Sequence, residues 1–116
     1  MPRSFSNSAA VRFLDREKVL TDLRRAAAEA RAARPEIVRV LLFGSLVRGN
    51  WTADSDADLI VVVRREFPEI LDRSSYQIHT RSIPTDTLVY SETEFAGMAG
   101  DPRSFIGRNL VHAIDL

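Results

Sequence analysis

Three apolar segments of strand length dominate the pattern of this chain. Residues 37–43 and 57–63 are almost continuously apolar and rich in β-branched side chains. Continuous runs of this kind indicate strands buried on both faces, and the second run predicts a central strand. Residues 83–90 instead alternate, with Asp86, Leu88 and Tyr90 on one face, which predicts a third strand. Pro84 favours an edge or entry position for its first residues.

Helical periodicity surrounds these strands. Apolar residues at three- and four-residue spacing predict a helix that begins near Ser8 or Asp15 and ends at Ala33, before Pro35. Further helices are predicted over 67–80, after the capping-box sequence of residues 91–94, and after Asp101-Pro102. Residues 111–116 are ambiguous, and 46–48 indicate a short helical turn. The expected fold is α/β: one domain over 1–116, loose at 1–8, with a small mixed sheet flanked by helices.

A pair of carboxylates opens the second strand. Asp56 and Asp58 are two positions apart, so they project together while Ala57 turns into the core. Adjacent carboxylates repel one another, and a hard divalent cation such as Mg²⁺ resolves this. Asp86 can complete a triad if its strand lies beside the second one. Such a site could hold two ions, and Asp86 could accept a proton from an attacking hydroxyl.

A glycine-serine turn follows the first strand. Gly44-Ser45 offers free backbone N–H groups and close approach, which suits a phosphate. Gly44 could instead serve only an unusual φ, and Ser45 only a helix cap. Arg48 is a candidate phosphate contact or an ordinary exposed arginine. Metal next to phosphate predicts phosphoryl or nucleotidyl transfer at one edge of the sheet.

The run from Phe43-Gly44-Ser45 to Asp56-Ala57-Asp58-Leu59 resembles the signature of the minimal nucleotidyltransferases of the DNA polymerase β superfamily. The order of helices and strands over nearly all of the chain is similar as well. The resemblance implies a polymerase-β-like fold, triphosphate binding by Gly44 and Ser45, and Mg²⁺ held by Asp56, Asp58 and Asp86. Asp86 lies between Thr85 and Thr87, where the family usually has apolar residues, and Asp72 is the alternative third carboxylate.

Composition excludes several other classes. The 116 residues carry 16 basic and 16 acidic side chains, and this balance argues against a dedicated nucleic-acid binder. No cysteine and only two histidines are present, so thiolate and zinc sites are not expected. No apolar run approaches the ~20 residues of a membrane span, and the N-terminus lacks a signal-peptide core. We expect a soluble cytoplasmic protein.

The remaining polar and aromatic residues carry weaker signals. Ser55 is expected to form a turn, Trp51 to pack its loop, and His79 and His112 to lie at the surface.

The expected reaction is transfer of a nucleoside monophosphate, AMP from ATP, to an acceptor hydroxyl. One domain of this size leaves no room for an acceptor domain, so the acceptor should come from another protein or protomer. The resemblance extends to antitoxins that adenylylate a tyrosine of a helical HEPN-type toxin. A non-catalytic module that only occupies its partner, and an enzyme acting on a small molecule such as an aminoglycoside, remain open alternatives. So do the base preference and the oligomeric state.

Overall fold

A four-stranded mixed sheet forms the centre of the protein. The computed structural model describes residues 15–52, 54–65 and 70–116, apart from the side chains of residues 70–72. The strands are β1 (Ile37–Phe43), β2 (Ala57–Val63), β3 (Thr85–Ser91) and β4 (Ile114–Asp115). Their order is β3-β2-β1-β4; β1 runs antiparallel to β2 and β4, and β2 runs parallel to β3. The α/β class and the central place of the most apolar strand are therefore confirmed.

Four α-helices and two 3₁₀ helices accompany the sheet in the described residues. They are α1 (Arg16–Ala33), α2 (Ser45–Arg48), α3 (Glu92–Ala99), α4 (Phe105–Asn109) and the 3₁₀ segments Ile70–Tyr76 and Leu110–His112. Asp15 caps α1, because its side chain accepts from the Lys18 N–H; Ser8, the other predicted start, lies outside the described residues. In this part of the chain no helix is long and apolar enough to span a membrane.

The sheet has a helical layer on each side. The larger core lies under α1, where Val19, Leu20, Leu23 and Ala27 are buried as their spacing predicted. The smaller core lies on the opposite face, where Phe95 of α3 and Ile106 of α4 cover Leu41, Phe43, Ile60 and Val62. Both faces of β1 and β2 are thus occupied by apolar contacts, which explains their unbroken apolar sequences.

The helix predicted over 67–80 is confirmed only in part, as a 3₁₀ helix that ends at Tyr76. Residues 70–76 form a 3₁₀ helix and 77–80 are irregular, while 67–69 lie outside the described residues. The irregular segment hydrogen-bonds to β3 instead of to itself: Thr85 Oγ1 donates to the Ile78 carbonyl at 2.5 Å, and Gln77 Nε2 donates to the Thr87 carbonyl at 3.2 Å. These bonds cover β3, which is an edge strand. Ile78 is buried, as predicted.

The C-terminal segment also differs from expectation. The last α-helix begins at Phe105 rather than at Pro102, because Ser104 is the residue whose hydroxyl accepts from the Gly107 N–H. The ambiguous residues 111–116 finish a 3₁₀ turn and then form β4. Arg39 fixes β4 to β1 with two hydrogen bonds to Asp115, at 3.3 and 3.0 Å.

The capping box that starts α3 is confirmed and extends into an ion pair. The Ser91 hydroxyl accepts from the Glu94 N–H at 3.1 Å, and Glu94 accepts from the Ser91 N–H at 2.9 Å. The Arg73 guanidinium donates to both Glu94 oxygens at 2.8 Å. The hydrogen bonds from Arg73 are the main reason that the pKa of Glu94 falls to about 2.

We expect Glu94→Gln to lower the free energy of unfolding by about 1 kcal/mol at pH 7, a value reduced for the partial exposure of the pair. Glutamine can keep the capping bond to Ser91 but loses the charge that faces Arg73. Because the pKa is depressed in the folded state, this stabilisation is present above about pH 4.5 and disappears as the pH falls towards 2. Chemical denaturation of both proteins between pH 7 and pH 2.5 measures it; a difference that grows towards acid would contradict the assignment.

Candidate active site

The predicted carboxylates meet where β2 and β3 begin. Asp58 lies directly opposite Asp86 in the parallel register, and opposite Phe43 in the antiparallel register with β1. Asp58 and Asp86 therefore share one face of the sheet. Ala57 is fully buried on the other face, as the alternation predicted. Asp56 precedes β2 by one residue and is exposed.

The turn after β1 brings the backbone against one of these carboxylates. Gly44 has φ 91° and ψ −157°, a conformation that is essentially restricted to glycine. A Cβ atom added to Gly44 would overlap Asp58 Oδ2. Both the backbone angle and the close approach thus require glycine here. The turn leads into α2, whose first N–H groups have no partner within the helix itself.

Asp58 is the electrostatic centre of this cluster. Its pKa is raised, first because the carboxylate loses water contact against its neighbours, and then because Asp86 and Asp56 add negative charge. Arg48, at the end of α2, acts in the opposite direction and lowers the same pKa. Three other predicted site residues are therefore close enough to influence the Asp58 carboxylate. The arrangement stores repulsion that a cation would relieve.

The donor set fits a hard divalent ion only together with a substrate. Within the described residues, no group of three acidic, histidine or cysteine side chains is close enough to form a complete metal cage. Mg²⁺, however, is commonly held by one or two carboxylates together with substrate phosphates and water. Asp58 and Asp86 are such a pair of oxygen donors, adjacent to a turn where the Ser45 and Leu46 N–H groups have no backbone partner among the described residues. The side chain of Asp72, the alternative third carboxylate, lies outside the described residues.

A hydroxyl pair connects the glycine turn to the loop before β2. Ser45 Oγ donates to Ser55 Oγ at 3.2 Å, and Ser55 Oγ also accepts from the Thr52 N–H at 2.8 Å. Ser55 does form a turn, as predicted, but its contact with Ser45 was missed. Its position immediately before Asp56 was the available signal. The pair ties both halves of the site together although they are ten residues apart.

Arg16 braces the same loop from α1. Its Nε donates to the Leu46 carbonyl at 2.9 Å, and its guanidinium lies 5.6 Å from the centre of the Trp51 ring. Trp51 is half-buried and packs against the larger core, so its predicted packing role is confirmed. The loop is therefore held between α1 and α2.

A narrow crevice opens beside the glycine turn. Its lining comes from two separate parts of the chain: Phe43, Gly44, Val47 and Arg48 on one side, and Asn109, His112 and Ala113 on the other. His112 is exposed, as predicted. The crevice brings the C-terminal turn next to the predicted nucleotide-binding residues, which sequence spacing could not indicate.

A sequence model of the nucleotidyltransferase domain family matches residues 23–108, which include the glycine-serine turn, Arg48 and the carboxylates Asp56, Asp58 and Asp86. The chain belongs to this family. The predicted resemblance is therefore confirmed at the level of the family, and nucleotidyl transfer is the general activity of such domains.

Two individual relatives agree with this assignment. The chain is 31% identical over 62 residues to a Methanocaldococcus jannaschii protein named "Putative protein adenylyltransferase"; the match spans 53% of this chain and 62% of the relative, less than two thirds of its length. A crystal structure of a "putative nucleotidyltransferase" from Sulfolobus solfataricus superposes with a TM-score of 0.58 at 23% identity, covering 71% of this chain and 75% of the other. The second likeness establishes the fold alone.

We expect Ser55→Ala to lower the rate of nucleotidyl transfer by about 10-fold. The substitution removes the hydrogen bond that orients the Ser45 hydroxyl. The unfolding midpoint should change little, since Ser55 lies in a partly exposed loop. Ser55→Thr keeps the hydroxyl and should restore most of the rate. Steady-state kinetics of the three proteins test this; equal rates for Ser55→Ala and Ser55→Thr would show that the Ser45–Ser55 contact does not position the site.

Proposed function

We propose that this protein transfers AMP from ATP to a hydroxyl group of a partner protein, with release of pyrophosphate. The observation that carries the proposal is the register of β2 and β3, which sets Asp58 beside Asp86 at the Gly44-Ser45 turn. Membership of the nucleotidyltransferase family supports the reaction class. Direct transfer to the acceptor hydroxyl is the simplest chemistry for these residues, because phosphoryl transfer depends mainly on positioning and charge neutralisation.

Gly44, Ser45 and Arg48 are assigned to the triphosphate. Backbone N–H groups at the start of α2 can donate to phosphate oxygens, because the helix leaves them without internal partners. The Ser45 hydroxyl can add one donor, and the exposed Arg48 guanidinium can neutralise charge. These contacts orient the α-phosphate towards Asp58 and Asp86.

Asp56, Asp58 and Asp86 are assigned to Mg²⁺, two ions in the fully bound state. When bound, the metal would neutralise phosphate charge and make the acceptor hydroxyl more acidic. The chain's own part is to hold Asp58 and Asp86 side by side. The raised pKa of Asp58 indicates that these charges are held together at an electrostatic cost before the substrate arrives.

At the α-phosphorus the reaction forms one bond and breaks one, and one proton moves from the acceptor to the enzyme. The acceptor oxygen attacks the α-phosphorus, the bond between the α-phosphorus and the oxygen bridging to the β-phosphorus breaks, and pyrophosphate leaves with that electron pair. Asp86 accepts the proton of the acceptor hydroxyl. Positioning and charge neutralisation supply most of the rate enhancement in phosphoryl transfer, so few side chains are needed.

The proposed acceptor is a tyrosine of a HEPN-type toxin, which would make this chain an antitoxin. The family resemblance of the signature motif supports this version, and the name of the Methanocaldococcus jannaschii relative supports a protein acceptor. A tyrosine hydroxyl suits the role because it is acidic enough to be deprotonated beside a bound metal.

Incubation with α-labelled ATP and Mg²⁺, with and without the product of the neighbouring gene, tests the proposal. The expected result is label on that protein with the wild type and none with the Asp56→Ala/Asp58→Ala variant. Label on a small molecule would replace the protein acceptor. A stable complex without label would favour the non-catalytic binding module, and chelation by EDTA that leaves the labelling intact would exclude the assigned metal.

A further inference from the structure

A half-exposed aromatic ring stands beside the carboxylate cluster. Phe105, the first residue of α4, is 48% exposed, whereas the next residue, Ile106, is 3% exposed and anchors the helix in the smaller core. Large aromatic side chains gain free energy when they are removed from water. Leaving the Phe105 ring in solvent therefore calls for an explanation.

The ring is placed next to the site by its contact with Phe43. The two ring centres are 5.7 Å apart with planes inclined at 45°, a favourable aromatic arrangement. Phe43 is buried, precedes Gly44 directly and is the cross-strand partner of Asp58. Cross-strand partners have Cα atoms about 4.5–5.5 Å apart, so Phe105 lies within the reach of one nucleoside from the carboxylates.

Local contacts hold α4 in this position. The Ser104 hydroxyl accepts from the Gly107 N–H at 2.8 Å and donates to the Met98 carbonyl at 2.6 Å. Asn109 donates to the Phe105 carbonyl at 2.8 Å and also lines the crevice beside Gly44 and Arg48. The helix that presents the ring is thus fixed by its own local contacts, and its last residue lines the crevice beside the turn that is assigned to the triphosphate.

We propose that the exposed face of Phe105 stacks against the nucleobase of the bound nucleoside triphosphate. This inference rests on the proposed function, because it needs a triphosphate at Gly44 and Ser45. With the phosphates at that turn and the α-phosphate at Asp58, the nucleoside can extend towards α4. There the exposed face of the Phe105 ring is available to stack on a base. Stacking of this kind tolerates every base, so ATP and GTP should bind with similar affinity.

Calorimetric titration with ATP and with inorganic tripolyphosphate, both in Mg²⁺, tests the stacking. Phe105→Leu should keep the apolar contact with Phe43 but lose the aromatic face, and Phe105→Ala should lose both. We expect ATP binding to weaken by about 5- to 150-fold in each variant, the loss typical of one base that no longer stacks on an aromatic ring. Tripolyphosphate has no base, so its affinity should stay unchanged, and Phe105→Tyr should bind ATP like the wild type.

Leu88→Ala is the matched control, since Leu88 is 50% exposed on β3 and carries no aromatic ring. Its affinity for ATP should equal that of the wild type. Unchanged ATP affinity in Phe105→Leu, or equal losses for ATP and tripolyphosphate, would overturn the stacking assignment. If the wild-type protein binds neither ATP nor tripolyphosphate, the proposed function itself is wrong. Failure of the stacking proposal and failure of the proposed function therefore give different results. If Phe105→Leu binds ATP normally but no longer labels the acceptor protein, the ring contacts the acceptor protein and not the nucleobase.

Discussion

Replacing Asp58 with asparagine is expected to lower kcat/KM for AMP transfer on the order of 10³-fold without destabilising the fold. Removal of a carboxylate that neutralises transition-state charge through a metal costs several kcal/mol, and each 1.36 kcal/mol corresponds to a tenfold change in rate. Asparagine has nearly the same shape, so the contact with Gly44 and the register with Asp86 should survive. Steady-state labelling with the acceptor protein measures the loss.

The same substitution should raise the stability of the metal-free protein although it lowers the activity. The pKa of Asp58 is raised in the folded state, so its contribution to stability is full in acid and declines as the pH rises through that raised pKa. Without divalent metal at pH 7, Asp58→Asn should therefore unfold at a higher temperature than the wild type. Towards pH 3 this difference should shrink.

Thermal unfolding in EDTA and in Mg²⁺ with ATP separates the two effects. Ligands that bind the folded state raise the unfolding temperature of the wild type. The unfolding temperature of Asp58→Asn should rise much less when Mg²⁺ and ATP are added. A variant that is less stable than the wild type at pH 7 in EDTA would contradict the electrostatic description of the site. A variant that keeps wild-type kcat/KM would remove Asp58 from the metal-binding residues.

Gly44→Ala should have the second large effect, because it damages both the backbone and the carboxylate. The φ and ψ of Gly44 lie in a region where other residues cost about 1–3 kcal/mol. The added methyl group would also overlap Asp58 Oδ2, so either the strand end or the carboxylate must move. We expect a loss of more than about 2 kcal/mol in the free energy of unfolding, together with loss of detectable AMP transfer.

Gly49→Ala is the matched control for this substitution. Gly49 also has a positive φ, 88°, but it closes α2 in the left-handed helical region and a Cβ there would meet nothing within 4 Å. It should cost about 1–2 kcal/mol through backbone strain alone and leave AMP transfer nearly intact. Denaturant titrations give the free energy of unfolding of both variants, and kinetics give their rates of AMP transfer. Equal effects of the two substitutions would mean that the contact between Gly44 and Asp58 does not contribute to activity.

The strands and the signature residues could be predicted because their causes are local. Continuous apolar composition identified β1 and β2, and alternation identified the exposed face of β3 with Asp86, Leu88 and Tyr90. The two-residue spacing of Asp56 and Asp58 fixed which side chains turn outwards. The start of α3 was predictable for the same reason, since Ser91 and Glu94 satisfy each other's backbone groups within four residues.

The segment 77–80 shows where local reasoning stops. Its composition permits a helix, but the edge strand β3 offers threonine hydroxyls and a carbonyl whose hydrogen bonds only exist once the sheet is formed. Gln77 and Ile78 bond to Thr87 and Thr85, so tertiary contacts override helix propensity. The ambiguous C-terminus is similar, because β4 exists only by pairing with β1.

The sequence by itself determined the α/β framework and the family signature, and it predicted the kind of chemistry: a glycine turn for phosphate and paired carboxylates for a metal. These follow from residue type and short spacing, which local geometry converts into position. Only the tertiary structure decided that Asp86 stands opposite Asp58, that Ser55 contacts Ser45, and that Phe105 lies beside Phe43. Those pairs are between 10 and 62 positions apart, and their contact depends on strand register and helix packing, which a linear pattern does not specify.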